Sequence, residues 1–251
     1  METMPQRYRP VLHTNKPSVR ARIVAWLHRA STPIRRRYYR DSWGQAPATA
    51  LSANWQRRLG LDDKAGVGSR RLEIGSGDRP QRGYIHVDQD PWAWHVEVVA
   101  PAWRLPFPDD WAEEIVAVHS LEHVHPRFLL PTLAEWHRVL KPGGRLRVHV
   151  PNAPQIMQRF LVAPRDAKWA LMGALLGMYC SPATAAPSQL IWPSDHQILF
   201  DNELLRWAVE SAGYHNAVDL TAEQADVHTE AWKDLVSDFS IILEASKVGK
   251  S

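Results

Sequence analysis

From about residue 70 onward, short runs rich in β-branched and aliphatic residues alternate with longer stretches whose apolar positions recur at helical spacing. The short runs predict strands over Arg71–Gly75, Tyr84–Asp88, Val96–Val99, Glu114–His119, Arg145–Pro151, Tyr214–Leu220 and Phe239–Ala245, seven in all. Leu129, Leu133, Trp136 and Leu140 predict a helix over Phe128–Leu140. Lys141, Pro142, Gly143 and Gly144 close it as a turn before the next strand, because proline cannot continue a helix and glycine accepts a left-handed cap. Leu204, Leu205 and Ala208 predict a second helix over Asn202–Ala212, stopped by Gly213. Strands alternating with helices imply an α/β sheet. Residues 152–194 interrupt the alternation with helix-like pieces and the run SPATAAPSQ. This insertion follows the fifth strand, at the sheet edge where open α/β folds bind ligands, and is expected to be a substrate lid.

A chain of 251 residues with 45% apolar and 23% charged residues has the composition of a folded protein of one or two domains, which argues against wholesale disorder. The net charge of +3 hides an uneven distribution: residues 1–50 hold ten Arg and Lys against Glu2 and Asp41. The expected organisation is a basic helical extension over 1–60 and one α/β domain over 61–251. The arm reads either as a solvated helix packing on the body or on a second copy in a homodimer, or as a contact for nucleic acid, anionic lipid or an acidic partner. No zinc spacing, aromatic RNA-binding pattern or helix-turn-helix accompanies the arginines, so nucleic acid is disfavoured. A single cysteine, Cys180, and a start without an apolar signal core give a cytoplasmic expectation. The longest apolar stretch, Trp169 to Cys180, has 12 residues against the roughly 20 that span a bilayer, so no transmembrane segment is expected.

The first strand runs into Gly75, Ser76, Gly77 and Asp78, a turn whose glycines let the backbone approach a ligand. The second strand ends at Asp88, where a carboxylate can accept ribose hydroxyls. A dinucleotide site calls for a third glycine at position 80 and a helix N-terminus facing phosphate; Pro80 stands there instead, and with Gly83 nearby the crossover reads as a loop or a very short helix. A cofactor with a ribose and no phosphate fits better, and S-adenosylmethionine is such a molecule. After the fourth strand comes His119-Ser120-Leu121-Glu122-His123, whose two histidines and glutamate share one face if the chain turns helical there. Far along the chain, His196 follows Asp195 in SDHQILF.

LEIGSGDRPQRGYIHVD, RLPFPDDWAEEIVAVHSLEHV, EWHRVLKPGGRLRVHVPN and DHQILFDNELLRWAVESAGY, in that order over about residues 70–246, resemble the class I S-adenosylmethionine-dependent methyltransferases of the methyltransferase-11 type. The resemblance implies a Rossmann-like seven-stranded sheet with a reversed last strand, helices on both faces and the cofactor across the ends of the first four strands. It assigns Glu73, Gly75, Ser76 and Gly77 to the methionine and ribose cradle, Asp88 and the adjoining Gln89 to the ribose, and Ala102, Trp103, Arg104 and Leu105 to the adenine border, with His119 facing the methyl group. Pro101 stands where the family often has an acid, so adenine recognition falls to backbone groups and Trp103. Some O-methyltransferases of this class, acting on quinone rings or on RNA ribose, bind a divalent metal through Glu-x-x-Glu-His after the fourth strand, and the RNA enzymes add a distant histidine. By that resemblance His119 replaces the first Glu, Glu122 and His123 match, and His196 completes a candidate set for Mg2+ or Mn2+; so many imidazoles suit manganese, cobalt or zinc better than magnesium. Without a metal, His119, His123 or His196 is the expected general base.

The chain has 12 tryptophans, a high count, and Trp92, Trp94, Trp103, Trp169 and Trp192 fall where an acceptor is expected. Either they pack, or they stack on a sugar or a base. Trp192, Asp195 and Asn152 are the candidate substrate contacts. The Ala-, Arg- and Trp-rich style resembles actinobacterial sugar O-methyltransferases, including those of methylmannose polysaccharide assembly. The leading expectation is therefore methylation of a hydroxyl on a sugar or oligosaccharide. The alternatives are an RNA or small-molecule methyltransferase and a catalytically silent binding module with the same fold.

Overall fold

Leu72 and Ile74 alternate with Arg71 and Glu73, and the apolar pair goes to one face of a sheet in the strand β1, Arg71–Ile74. The computed structural model describes residues 70–77, 81, 83–89, 96–177, 196–221, 223–225 and 239–249. The expected arm over 1–60, the SPATAAPSQ run, Pro80, Trp92, Trp94, Trp192 and Asp195 lie outside the described residues. The other strands are β2 (Ile85–Asp88), β3 (Val98–Val99), β4 (Ala112–Val118), β5 (Leu140–Pro151), β6 (His215–Asp219) and β7 (Ser240–Ser246). They form one seven-stranded sheet in the order β3-β2-β1-β4-β5-β7-β6. β1 to β5 pair in parallel, and β7 runs antiparallel to both of its neighbours. This is the Rossmann-like class I methyltransferase architecture, reversed last strand included.

Four helices accompany the sheet among the described residues: α1 (Leu129–Val139), α2 (Ala153–Val162), α3 (Arg165–Leu176) and α4 (Asn202–Ser211). Leu133 and Trp136 of α1 and Leu205 of α4 pack against Leu72, Ile74, Ile115 and Val148. Burying each such side chain contributes roughly 1.5–3 kcal/mol. Asp201 starts α4 by accepting a 2.7 Å hydrogen bond from Leu204 N. α2 and α3 occupy the first part of the 152–194 segment, and Gly177 closes α3 at φ +74°.

The opposite sheet face mixes Tyr84, Val116, Val118 and Ile242 with charged groups. Glu114 accepts hydrogen bonds from Arg71 Nε at 2.8 Å and from the Tyr84 hydroxyl at 3.0 Å, and Arg147 donates to Glu244 at 2.9 Å. Pairing makes this burial of charge tolerable. Burial, with the Glu114 charge beside it, pushes the Tyr84 hydroxyl up to about 12. His149 lies on the same face, 1% exposed, and neither ring nitrogen has a hydrogen bond. Burial, then the neighbouring His119 and Arg147, hold its pKa down at about 3.

Two expectations shift in detail. Lys141–Gly144 lies within β5 and is not a turn ahead of it: Leu140 already pairs with Ala112, and the ladder resumes at Glu114 with Arg145. The intervening residues bulge outward, with Gly143 at φ +76° donating to Lys247 O at 2.8 Å. β3 is also shorter than expected, two residues against four.

Candidate active site

The glycine turn leaves β1 in left-handed backbone, Gly75 at φ +71° and Gly77 at φ +53°. Gly75 has no room for a side chain, since a Cβ there would stand 2.3 Å from Ser120 Cβ. Ser120 in turn donates from Oγ to Ile74 O at 2.8 Å, so the turn after β1 and the turn after β4 are tied together. Gly77 opens onto free space, with nothing within 4 Å of a Cβ built on it. Its N–H donates to Asp88 Oδ2 at 2.9 Å, which clasps the end of β2 onto the turn. Ser76 Oγ is buried without a hydrogen bond. An orphaned hydroxyl, an open glycine and a carboxylate at one strand edge fit a ribose-bearing cofactor.

Other expected cradle residues have internal duties. Glu73 is 2% exposed and accepts from Gln81 N at 2.7 Å and Gln81 Nε2 at 3.2 Å, bracing the loop behind the turn; burial pushes its carboxyl above the usual range. Ala102 O accepts from Trp136 Nε1 at 2.9 Å, and Leu105 N donates to Glu135 at 2.6 Å. Trp103 stacks on Phe128 with centroids 4.6 Å apart, so one face of its indole is covered. Arg104 and Gln89 are exposed. Asn152 caps α2, its Oδ1 accepting from Gln155 N at 3.2 Å. Trp169 is half exposed on α3.

The imidazole cluster assembles at the end of β4. His119 sits at φ +49°, a conformation costly for a residue with a side chain, and turns the chain out of the strand. A single 3₁₀ turn, Leu121–His123, then presents Glu122 and His123. Gln197 N and Ile198 N both donate to Glu122 O, at 2.7 and 3.1 Å, which brings His196 alongside. His196 is also held by α3: its N–H donates to Leu176 O at 3.1 Å, and its Nδ1 lies 3.0 Å from Leu175 O. A carbonyl only accepts, so Nδ1 carries the proton and Nε2 is left with its lone pair, 3.8 Å from Glu122 Oε1. His123 Nε2 lies 4.0 Å from the same oxygen, and the rings of His123 and His196 meet edge-on at 4.8 Å.

One ligand atom from each of Glu122, His123 and His196 lies within 4.8 Å of the others. Glu122 is fully buried, and neither of its oxygens has a hydrogen bond of good distance and angle; His196 Nε2 is likewise unpartnered. Burial pushes the Glu122 carboxyl up, but His119, His123 and His196 outweigh it and hold the group below the usual carboxylate range. Burial lowers His196, against the pull of Glu122, so the ring is neutral near pH 7. A buried carboxylate faced by two imidazole nitrogens, one of them the lone-pair-bearing His196 Nε2, fits a divalent cation, and the two-nitrogen, one-oxygen set suits manganese, cobalt or zinc. His119, expected in place of the motif's first Glu, stands beside this group: its Nδ1 is 3.3 Å from Glu122 Oε1, and its Nε2 is 2.9 Å from Ser240 Oγ. No sequence signal pointed to Ser240, which reaches the site from a strand 121 residues away.

Residues 84–148 match the model of a family described as a methyltransferase domain. No curated protein matches the sequence. Among solved structures, an S-adenosylmethionine-dependent methyltransferase from Archaeoglobus fulgidus is similar at 15% identity and a TM-score of 0.45, over 76% of this chain and 92% of that one. The 1,6-didemethyltoxoflavin-N1-methyltransferase of Burkholderia thailandensis, solved with 1,6-didemethyltoxoflavin and S-adenosylhomocysteine, is similar at 15% identity and a TM-score of 0.41, over 93% of each chain. A Haemonchus contortus phosphoethanolamine N-methyltransferase in complex with S-adenosyl-L-methionine shows 13% identity and a TM-score of 0.42; the alignment covers 78% of this chain and 51% of that enzyme. No helix among the described residues is long and apolar enough to cross a membrane. Residues 84–148 thus match a methyltransferase domain, and they lie within a seven-stranded sheet whose strand order, with β7 reversed, and whose glycine turn clasped by Asp88 are those of the class I methyltransferase fold.

Proposed function

We propose that the chain methylates a hydroxyl of a sugar or oligosaccharide, mannosides included, and that Glu122, His123 and His196 hold a divalent cation beside that hydroxyl. The observation that carries the reading is the fully buried Glu122 carboxylate, whose Oε1 has His119 Nδ1 beside it at 3.3 Å and faces His196 Nε2 at 3.8 Å and His123 Nε2 at 4.0 Å. Such a site acts on a weakly acidic group, and a sugar hydroxyl is one. S-adenosylmethionine supplies a methyl group on a sulfonium, and the cation adds positive charge that acidifies the hydroxyl. In the transfer the new C–O bond forms as the C–S bond breaks, leaving S-adenosylhomocysteine, and the hydroxyl proton, which a bound cation would make more acidic, passes to water. The Gly75–Gly77 turn and Asp88 hold the cofactor's ribose end, and the Gly75–Ser120 approach fixes that turn against the cluster, which favours in-line geometry. α3 supports His196 through Leu175 and Leu176, consistent with a lid that helps to form the site, and exposed Trp169 on the same helix offers a stacking surface.

A second reading rests on the lowered pKa of His196: with no cation bound, its neutral Nε2 takes the hydroxyl proton directly. Labelled S-adenosylmethionine incubated with mannosides, other oligosaccharides and RNA, with and without chelator, tests both. Label on a saccharide that is lost with chelator and restored by Mn2+ supports the cation reading. Chelator-resistant transfer leaves His196 as base, and label on RNA alone refutes the sugar assignment.

A further inference from the structure

Ser240 opens β7, and because β7 runs antiparallel to β5 its first residue pairs with Pro151 at the same sheet edge as the cluster. From there its hydroxyl meets His119 Nε2 at 2.9 Å. The other ring nitrogen, Nδ1, is 3.3 Å from Glu122 Oε1. An ionised carboxylate can only accept, so the proton of a neutral His119 ring belongs on Nδ1, and Nε2 then accepts from the Ser240 hydroxyl. A ring with both nitrogens committed in this way is held in orientation, and the group it faces is the carboxylate at the centre of the cluster. His119 is also outside the three residues whose ligand atoms gather within 4.8 Å of one another.

We infer that Ser240 is a positioning residue: by fixing the tautomer and orientation of His119, it sets the carboxylate of Glu122 toward the cation held with His123 and His196, and His119 supports the site from outside it. The inference rests on the cation reading for what Glu122 does, but the Ser240–His119 contact stands on its own geometry. Outer partners of this kind fix the orientation and basicity of a ligand, and their loss typically costs about 10–100-fold in metal affinity.

The test uses the full chain as wild type, Ser240→Ala and Ser240→Thr, the last keeping a hydroxyl. Calorimetric titration with Co2+ gives the affinity, and the visible absorption of bound Co2+ reports the ligand field. Titration with S-adenosylmethionine checks that each variant is folded and competent at the cofactor cradle. The histidine ring nitrogen signals in NMR, with His119 assigned by a His119→Gln variant, report the tautomer. The expected result is an Nδ1–H tautomer for His119 in the wild type. Ser240→Ala should disturb that signal, weaken Co2+ binding by about 10–100-fold and alter the Co2+ spectrum. Ser240→Thr should restore all three, with cofactor affinity the same throughout. An Nε2–H tautomer, a ring signal indifferent to the alanine, or Co2+ affinity equal in Ser240→Ala and wild type overturns the role given to Ser240. A wild type that binds S-adenosylmethionine but takes up no Co2+ overturns the cation reading, and the ring signals then decide the Ser240–His119 contact by themselves.

Discussion

Acidification should destabilise this fold through His149, by an amount that follows from its surroundings. The ring is 1% exposed, with neither nitrogen hydrogen-bonded, and its folded pKa is held at about 3. An unfolded histidine titrates near 6.5. Between those two values the unfolded chain binds a proton that the folded chain refuses, so stability is fully present above about pH 6.5 and drains away as pH falls. The slope is about 1.4 kcal/mol per pH unit for one proton, so going from about pH 7 to pH 5 removes roughly 2 kcal/mol. His149→Leu deletes the proton site and leaves no buried polar atom behind, so it should be neutral or stabilising near pH 7. Urea unfolding at the two pH values measures both proteins, and comparing wild type with variant cancels the titration of every other group. The wild type should lose about 2 kcal/mol more than His149→Leu over that interval. Equal losses in the two proteins would refute the account, because they would mean that His149 takes up its proton in the folded state.

The remaining predictions concern the site. Gly75→Ala places a Cβ 2.3 Å from Ser120 Cβ at φ +71° and should cost more than about 2 kcal/mol, whereas Gly77→Ala, in open space, should cost about 1 kcal/mol; thermal melts distinguish them, and equal costs would show that Ser120 can move aside. Asp88→Ala should weaken S-adenosylmethionine binding by about tenfold or more in calorimetry, the loss of a charged hydrogen-bond acceptor. His196→Ala should leave that affinity close to wild type and depress turnover, and a matching loss of cofactor affinity would break the division of roles. Glu122→Gln keeps shape but removes charge, and should abolish Co2+ uptake while S-adenosylmethionine still binds.

Much of the sheet was legible because β1, β2, β4, β5 and β7 carry dense apolar runs bounded by glycine, proline or acid, and their order along the chain follows the crossover pattern. What the sequence obscured was set by distant partners. Leu140 looks like the last helical position by spacing, yet its pairing with Ala112 makes it the first residue of β5. Glu73 reads only as part of the cofactor cradle, and nothing in the sequence signals that Gln81 would bond to both of its oxygens. Asn152, expected as a substrate contact, also caps α2, a role not read from the sequence. Glu122 and His123 stood out in the sequence because short spacing and position after a strand are local signals, whereas the distant His196 was added by the resemblance; the structure brings the three together. The place of His119 was not legible, because it depends on a serine that only the antiparallel return of β7 brings near.

The backbone bonds from Gln197 and Ile198 to Glu122 O, and from His196 to Leu176 O, string His196 between the turn that follows β4 and the helical insertion that follows β5. Grafting a foreign helical pair after β5 would thus also replace the mount of the His196 imidazole. The helical pair α2–α3 and the position of His196 are not separable modules, and a successful graft would have to supply the carbonyls of Leu175 and Leu176 as well as a new helix surface.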